Sequence, residues 1–513
     1  MTKKIWIILG IIALVFISGY IAAEIILKNK IQNFIHQGMG STVNAQYADL
    51  EVSLWNGSAK LDSLYVSITN KADTVTHTNM TASKLSLKDL SYWDYLFHNE
   101  IHISSIILSA PHIKYYKHKR HPADTTTHTD PVPLQQLTFK LDQFEIDDAR
   151  IEIRDGKGKT PLLKSGRSSL HLTDIKITPE SVQQKIPLTY QEIELNVDSL
   201  SVRTSDYDHL NTGEITASGS TITVMDLHLL PDYSKSKLSQ VLNRERDHTT
   251  LKIPQTTIDE YEVSFKNDQL YITAEKLEIS QPDLDIYRDK QVADDNRVKP
   301  LYSEMLRELP FSLAIDSVQI TKASITYEEK AKEDQPAGTI DFTSLDMQID
   351  HLGNRQEKGT RTTLHAEGLF LQSSPLVVDW SFDVQDQTDQ FNFAASLSQL
   401  PAENINDFSV PNLKTAFEGS LQKIYFDIDG NNHTSNVKMK MKYDDFKVKI
   451  LQSNDFKVND LLSGIANLFV NKDSKDKGQE FINGKATAER NKTKSFFNYI
   501  WINIKNGLVD TML

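Results

Sequence analysis

Four histidines, His112, His118, His121 and His128, lie close enough in sequence to suggest a shared metal ion. Lys117, Lys119 and Arg120 stand among them, and no carboxylate follows at ligand spacing until Asp124. The surrounding cations oppose a bound cation, so a solvated loop is the better reading. Asp147-Asp148 and Asp294-Asp295 are paired carboxylates of the kind glycoside hydrolysis needs. Both pairs fall at expected turns, where aspartate is favoured for its local hydrogen bonds. No phosphate-cradling glycine loop, serine nucleophile elbow or histidine-glutamate zinc motif occurs. Cysteine is absent, which removes thiol chemistry, disulfides and cysteine-ligated zinc. The residues point to binding or structure rather than to an enzyme, with no catalytic, cofactor or metal site expected. The net charge of -13 has no basic block, so no nucleic-acid partner is expected either.

The elements that would position any site begin with a membrane signal. Lys3 and Lys4 precede Ile5 to Ala23, a run without charge until Glu24. At 1.5 Å per residue such a helix crosses most of a hydrocarbon core about 30 Å thick, with Tyr20 near the interface. A cleaved signal peptide is the competing reading, but the small-x-small cleavage pattern is poor around Ala22 and Ala23. Either way the positive flank stays inside and the body is exported. Leu27, Ile31, Phe34 and Ile35 then recur at helical spacing up to Gly38-Met39-Gly40.

From Ala48 onward the apolar period becomes two, the mark of strands with one apolar face. The pattern carries a recurrent phase slip: two alternating apolar positions, two polar residues, then two more. It reads Ile101, Ile103, Ile106, Leu108; Phe139, Leu141, Phe144, Ile146; Ile272, Ala274, Leu277, Ile279; and Leu313, Ile315, Val318, Ile320. These copies are paired, with a shift of 171 residues from Ile106 to Leu277 and of 174 from Phe144 to Val318, which suggests a duplication. The slip often holds an acidic or hydroxyl residue, as in Asp62-Ser63, Asp142-Gln143, Asp198-Ser199 and Asp316-Ser317. Keeping one face apolar across a slip requires a bulge or bend, which increases twist and curls a sheet.

An apolar concave face without a cover would expose more hydrophobic surface than a soluble monomer normally tolerates. Its filler is either the protein's own large side chains or lipid acyl chains. The wall positions singled out are Ile106, Leu108, Phe144, Ile146, Leu277, Ile279, Val318 and Ile320. Near the end, Leu461, Leu462, Ile465, Leu468 and Phe469 form one helical apolar face. Phe497, Ile500, Trp501, Ile504 and Leu508 form another, beyond the charged run Lys472 to Lys477. These helices either cap the sheet or dock on a membrane surface or partner.

The chain resembles the AsmA-like proteins, relatives of the repeating-β-groove lipid-transfer proteins. The likeness rests on the run Ile5 to Ala23, the strand pair Leu50-Glu51-Val52-Ser53-Leu54-Trp55-Asn56-Gly57 and Ala59-Lys60-Leu61-Asp62-Ser63-Leu64-Tyr65-Val66, and the strings Ser109-Ala110-Pro111-His112-Ile113 and Ser280-Gln281-Pro282-Asp283-Leu284. Glu489-Arg490 through Lys494-Ser495-Phe496-Phe497-Asn498-Tyr499 adds to it. The resemblance implies a periplasmic groove that serves outer-membrane assembly or phospholipid traffic. The expected fold is mainly β: a transmembrane helix, then an elongated, curved, repetitive antiparallel sheet with a few short helices and C-terminal amphipathic helices. The expected boundaries are a cytoplasmic tail (1–4), an anchor (5–26), a juxtamembrane helix (27–40), the groove (41–450) and a capping segment (451–513). The expected partners are phospholipid or another acyl-chain lipid, the inner membrane through the first helix, and an envelope protein through the last.

Overall fold

The computed structural model describes residues 2–33, 35, 42–98, 100–119, 137–155, 160–451 and 481–512. His121, His128, Gly38-Met39-Gly40, the expected helix around Leu461 to Phe469 and the charged run Lys472 to Lys477 lie outside them. The fold is mainly β, as the period-two pattern requires. It divides into two compact units, Met1–Val224 and Met225–Leu513, where the sequence suggests one repetitive domain over 41–450.

The first unit opens with α1 (Thr2–Asn33), one helix without a break at the expected boundary between residues 26 and 27. Side chains are described from Ile17 onward in α1, and among the described residues no helix is long and apolar enough to cross a membrane. The strands are β1 (Val43–Gln46), β2 (Asp49–Ser53), β3 (Ser58–Thr69) and β4 (Thr76–Leu90). A short helix, α2 (Tyr92–Phe97), follows; then come β5 (Glu100–Ser109), β6 (His112–Tyr116), β7 (Thr138–Arg154), β8 (Leu163–Ser165), β9 (Ser168–Ile177) and β10 (Glu192–Val197). The last are β11 (Leu200–Arg203), β12 (Asp208–Thr212), β13 (Ile215–Ser218) and the start of β14 (Thr221–Pro231). β3 pairs with β4, β4 with β5 and β6, and β7 with β9, all antiparallel.

The second unit holds α3 (Lys235–Val241), β15 (His248–Asp259), β16 (Glu262–Lys266), β17 (Gln269–Ser280), β18 (Asp283–Asp289) and α4 (Tyr302–Arg307). They are followed by β19 (Ser312–Lys330), β20 (Gly338–Gly353), β21 (Arg361–Phe370), β22 (Ser374–Asp383), β23 (Phe391–Pro401) and α5 (Asn406–Leu413). β24 (Thr415–Gly430), β25 (Thr434–Ile450), β26 (Ile482–Glu489) and α6 (Phe496–Met512) complete it. From β19 to β26 each strand pairs antiparallel with the next.

The sheet is mixed, which corrects the antiparallel expectation. β5 and β6 run parallel to β7, and β17 and β18 run parallel to β19. Parallel neighbours need a long crossover. The chain supplies residues 117–137 before β7 and residues 290–311, with α4, before β19. The two units therefore repeat one arrangement: one strand (β4, β15) antiparallel to two successive strands, which together lie parallel to the next long strand (β7, β19). The duplication suggested by the apolar spacing has a direct structural counterpart.

Left-handed backbone kinks recur at equivalent places in the two copies. Ala110 and Gln281, each before a proline, both have φ of 49°, and Asp148 and Lys322 on the parallel neighbours both have φ of 51°. The bonds around them match as well. Ala110 N donates to Asp147 O (2.7 Å) and Arg150 N to Pro111 O (2.8 Å); Gln281 N donates to Thr321 O and Ser324 N to Pro282 O (both 2.8 Å). At a second kink the left-handed residue is Asp174 or His351, opposite Asp142 and Asp316 respectively. The acidic slip residue thus faces the bulge that its antiparallel partner carries. β26 is a strand within the expected capping segment, formed because Thr434 to Met441 offers it a free edge.

Candidate functional site: a half-buried apolar face

The kinks keep apolar side chains in register across many strands. In the first unit one ladder runs Leu50, Leu61, Leu85, Leu108, Ile146, Leu170, Leu195, Ala217, Ile222. Beside it runs Val52, Ala59, Leu87, Ile106, Phe144, Leu172, Ile193. In the second unit the counterpart runs Ile258, Leu277, Val318, Ile349, Leu364, Trp380, Phe393, Ile428, Val437, Ala486. All eight wall residues chosen from sequence fall on these ladders or the one adjacent, and they are register partners: Ile106 with Phe144, Leu108 with Ile146, Leu277 with Val318 and Ile279 with Ile320.

The apolar ladders of the two units differ in cover. Ile428 and Val437 are fully buried in a cluster with Phe496, Tyr499 and Ile500 of α6 and with Leu301 at the start of α4, and Met439 is buried beneath Gly507 and Thr511 of α6. Gly484 permits the close approach of α6, since a Cβ there would meet Gly507 O and Thr511 N at 2.9 Å. In the first unit, Leu61, Leu85, Leu108, Ile146, Leu170 and Leu195 are only half-buried, although they hold equivalent ladder positions. A packed layer would bury them as α6 buries Ile428. Of the eight wall residues, seven are half-buried and Val318, 2% exposed, is core.

α6 caps the sheet by packing on β25 and β26, but its buried face is rotated from the expected one. Phe496, Tyr499, Ile500, Asn503, Gly507 and Thr511 face inward, whereas Phe497 and Trp501 are exposed. Asn503 and Thr511 are satisfied internally: Ser435 Oγ donates to Asn503 Oδ1 (2.8 Å), Asn503 Nδ2 donates to Tyr499 O (2.9 Å) and Thr511 Oγ1 donates to Gly507 O (2.5 Å). Hydropathy counts such residues as outward, which is why the face was displaced.

The reactive-looking residues have structural surroundings. Asp148 is a kink residue; Asp294 accepts from Lys494 (2.8 Å) and Asp295 from Arg297 (2.8 Å). His112 lies on β6, and among the described residues no three histidine or carboxylate groups could hold a metal ion. One cluster was not anticipated. His102 lies between Asp94 Oδ2 (3.1 Å from Nδ1) and Asp142 Oδ1 (2.8 Å from Nε2), and Asp94 also meets His98 Nδ1 (2.9 Å). The available signal was that His102 takes the outward place between Ile101 and Ile103 while Asp142 takes the slip position on the neighbouring copy.

The hydrogen bond to Asp142 raises the His102 pKa from its ordinary value of 6.5, opposed by partial burial and helped by Asp94. Bonds from Ser91, then His98 and His102, hold Asp94 down at about 2. The raised His102 value means that its contribution to stability is complete below about 6.5 and is lost as pH rises through the raised value. The Asp94 contribution is complete above about 3.8 and fades as pH falls through about 2. An NMR titration of the His102 ring should therefore give a midpoint above the ordinary one, and Asp142→Asn should move it down. A wild-type midpoint at or below the ordinary value would refute the bridge.

No protein-family model matches the chain, and no curated protein matches it either.

Proposed function

We propose that the chain is anchored in the cytoplasmic membrane by α1 and displays its β units on the periplasmic side. There the open apolar face of Met1–Val224 binds or passes acyl chains of phospholipid or a similar lipid, in support of outer-membrane and envelope assembly, as the AsmA-like resemblance implies. The observation that carries this reading is the half-buried ladder from Leu61 to Leu195, continuous across six strands. The anchor is supported by the uncharged run Ile5 to Ala23, about 28 Å long as a helix, behind Lys3 and Lys4.

The energetics suit exchange. Each methylene taken from water onto the ladder gains about 0.8 kcal/mol, but a chain arriving from a bilayer is already out of water. Transfer between membrane and ladder is then nearly balanced, which lets a lipid leave again. A second reading, a non-enzymatic scaffold with a packed core, is favoured by the closed surface around Ile428. Phe497 and Trp501, exposed on α6, are where an envelope protein would dock in either case.

The test is photo-crosslinking in the membrane-bound full chain, with benzoylphenylalanine placed at Leu108 or at Lys440, exposed on the opposite face of β25. Mass spectrometry should find lipid adducts at Leu108 and none at Lys440. Equal or absent labelling at the two sites would favour the scaffold.

A further inference from the structure

Five large aromatic side chains of the first unit are exposed close to α1. Trp55 is 89% exposed, Trp93 65% and Phe97 64%, with Tyr92 and Tyr95 beside them on α2. Trp93 and Phe97 pack ring to ring at 4.2 Å, so α2 presents a formed aromatic ridge rather than scattered residues. Trp55 stands in the turn Leu54–Gly57, which is fixed by Gly57 at φ 57°: a Cβ there would meet Leu90 N and O at 2.7 Å.

This turn is tied to α1 at one level. Leu54 N donates to Glu24 Oε1 (3.1 Å), Trp55 N donates to the Tyr20 hydroxyl (3.3 Å), and the Tyr92 hydroxyl donates to Leu54 O (3.2 Å). Tyr20 in turn donates to Glu24. Glu24 is the first charge after Ile5 to Ala23, so the bonds mark where an embedded α1 would leave hydrocarbon for headgroups. Ile17, Ile21, Ile25 and Ile26 are also exposed on α1, giving apolar surface continuous with that level. Lys28 and Lys30 come one to two turns further out, at the depth of lipid phosphates. Tryptophan and tyrosine favour this zone because each has an apolar body and a polar tip. His102 holds α2 in place, since Ser91 N donates to His102 O (2.8 Å) and the His102 ring meets Asp94.

We propose that Trp55 and the aromatic side chains of α2 form a foot that inserts into the outer interface of the phospholipid bilayer and fixes the first β unit at the membrane surface. The proposal rests on the reading of α1 as an anchor. It adds a second contact, made by the folded unit itself, that would set the ladder at a defined height where lipid can reach it.

The absence of cysteine makes the test direct, because each introduced cysteine is unique. Single cysteines at Ile11, Trp93, Tyr95 and Lys438 in the full chain are spin-labelled and reconstituted in phosphatidylcholine vesicles. Collisions with oxygen and with a water-soluble nickel chelate then report depth. Ile11 should be deep, Trp93 and Tyr95 should lose nickel collisions relative to Lys438, and Lys438 should be aqueous. Trp55→Ser with Phe97→Ser should return the Tyr95 label to water while Ile11 stays deep. A deep Ile11 with aqueous Trp93 and Tyr95 overturns the foot and leaves the anchor. An aqueous Ile11 with Tyr95 still at the interface rejects the anchor and keeps the foot, and aqueous labels throughout overturn both.

Discussion

Replacing Leu108 and Ile146 together with aspartate should leave the protein folded and inserted but reduce its copurifying lipid at least tenfold. The two residues are register partners on β5 and β7, so the carboxylates would stand roughly 4.8 Å apart at the centre of the ladder. Both sites are half-buried, and an aspartate there keeps its water on the open side. The loss of stability should stay below the roughly 1.5–3 kcal/mol that a fully buried aliphatic side chain contributes. A lipid chain laid across the same sites must strip that water, at several kcal/mol for a charged pair, and 1.4 kcal/mol already amounts to tenfold. Lipid is quantified by mass spectrometry on extracted protein, with circular dichroism as the control for folding. A folded variant with unchanged lipid would remove the ladder from the binding surface. In the second unit the matching pair is Ile279 and Ile320, because aspartate at the buried Val318 would report on folding instead.

Much of this surface was legible in the sequence, for a physical reason. A period of two places every second side chain on one face, and the slip announces the bulge that keeps the face apolar. Hence Ile106 and Phe144, chosen as equivalent members of two copies, prove to be adjacent across a parallel pair. Strand direction was not legible, because alternation looks the same in either direction; only the long segments before β7 and β19 hinted at crossovers. Cover was not legible either. Ile146 and Ile428 have the same chemistry, and their burial differs because α6, distant in sequence, lies over one of them. The buried face of α6 was misplaced for a related reason: Asn503 and Thr511 look solvent-facing until Ser435, Tyr499 and Gly507 supply their hydrogen bonds. The bridge of His102 between Asp94 and Asp142 was not legible, because its members come from a short helix and two strands that meet only after folding.

Arg307→Ala should destabilise the closed half of the second unit by about 3–5 kcal/mol, the usual cost of stranding one partner of a buried ion pair. Arg307, on α4, donates to Val384 O (2.7 Å), Asp386 O (3.2 Å) and Asp389 Oδ1 (2.9 Å). The Asp389 side chain is only 3% exposed, and after the substitution Ser303 Oγ (2.9 Å) would be its remaining side-chain donor. Arg307→Lys retains charge but not the fork that reaches two carbonyls and a carboxylate, so its effect should be intermediate. Hydrogen exchange on the full chain should show the opening free energy of β22 to β24 falling by that amount, and a change below about 1 kcal/mol would refute the role assigned to the pair. The same loss bears on function, because α4 brings Tyr302 against Trp380 (5.2 Å) and Phe496 (5.9 Å) over the ladder. With α4 released, Phe382 and Phe391, buried in the intact protein, would approach the partial exposure that Leu108 and Ile146 have. The variant should therefore take up acyl-chain probes at a surface that excludes them in the parent, making cover, rather than ladder composition, the property that separates the binding face from the core.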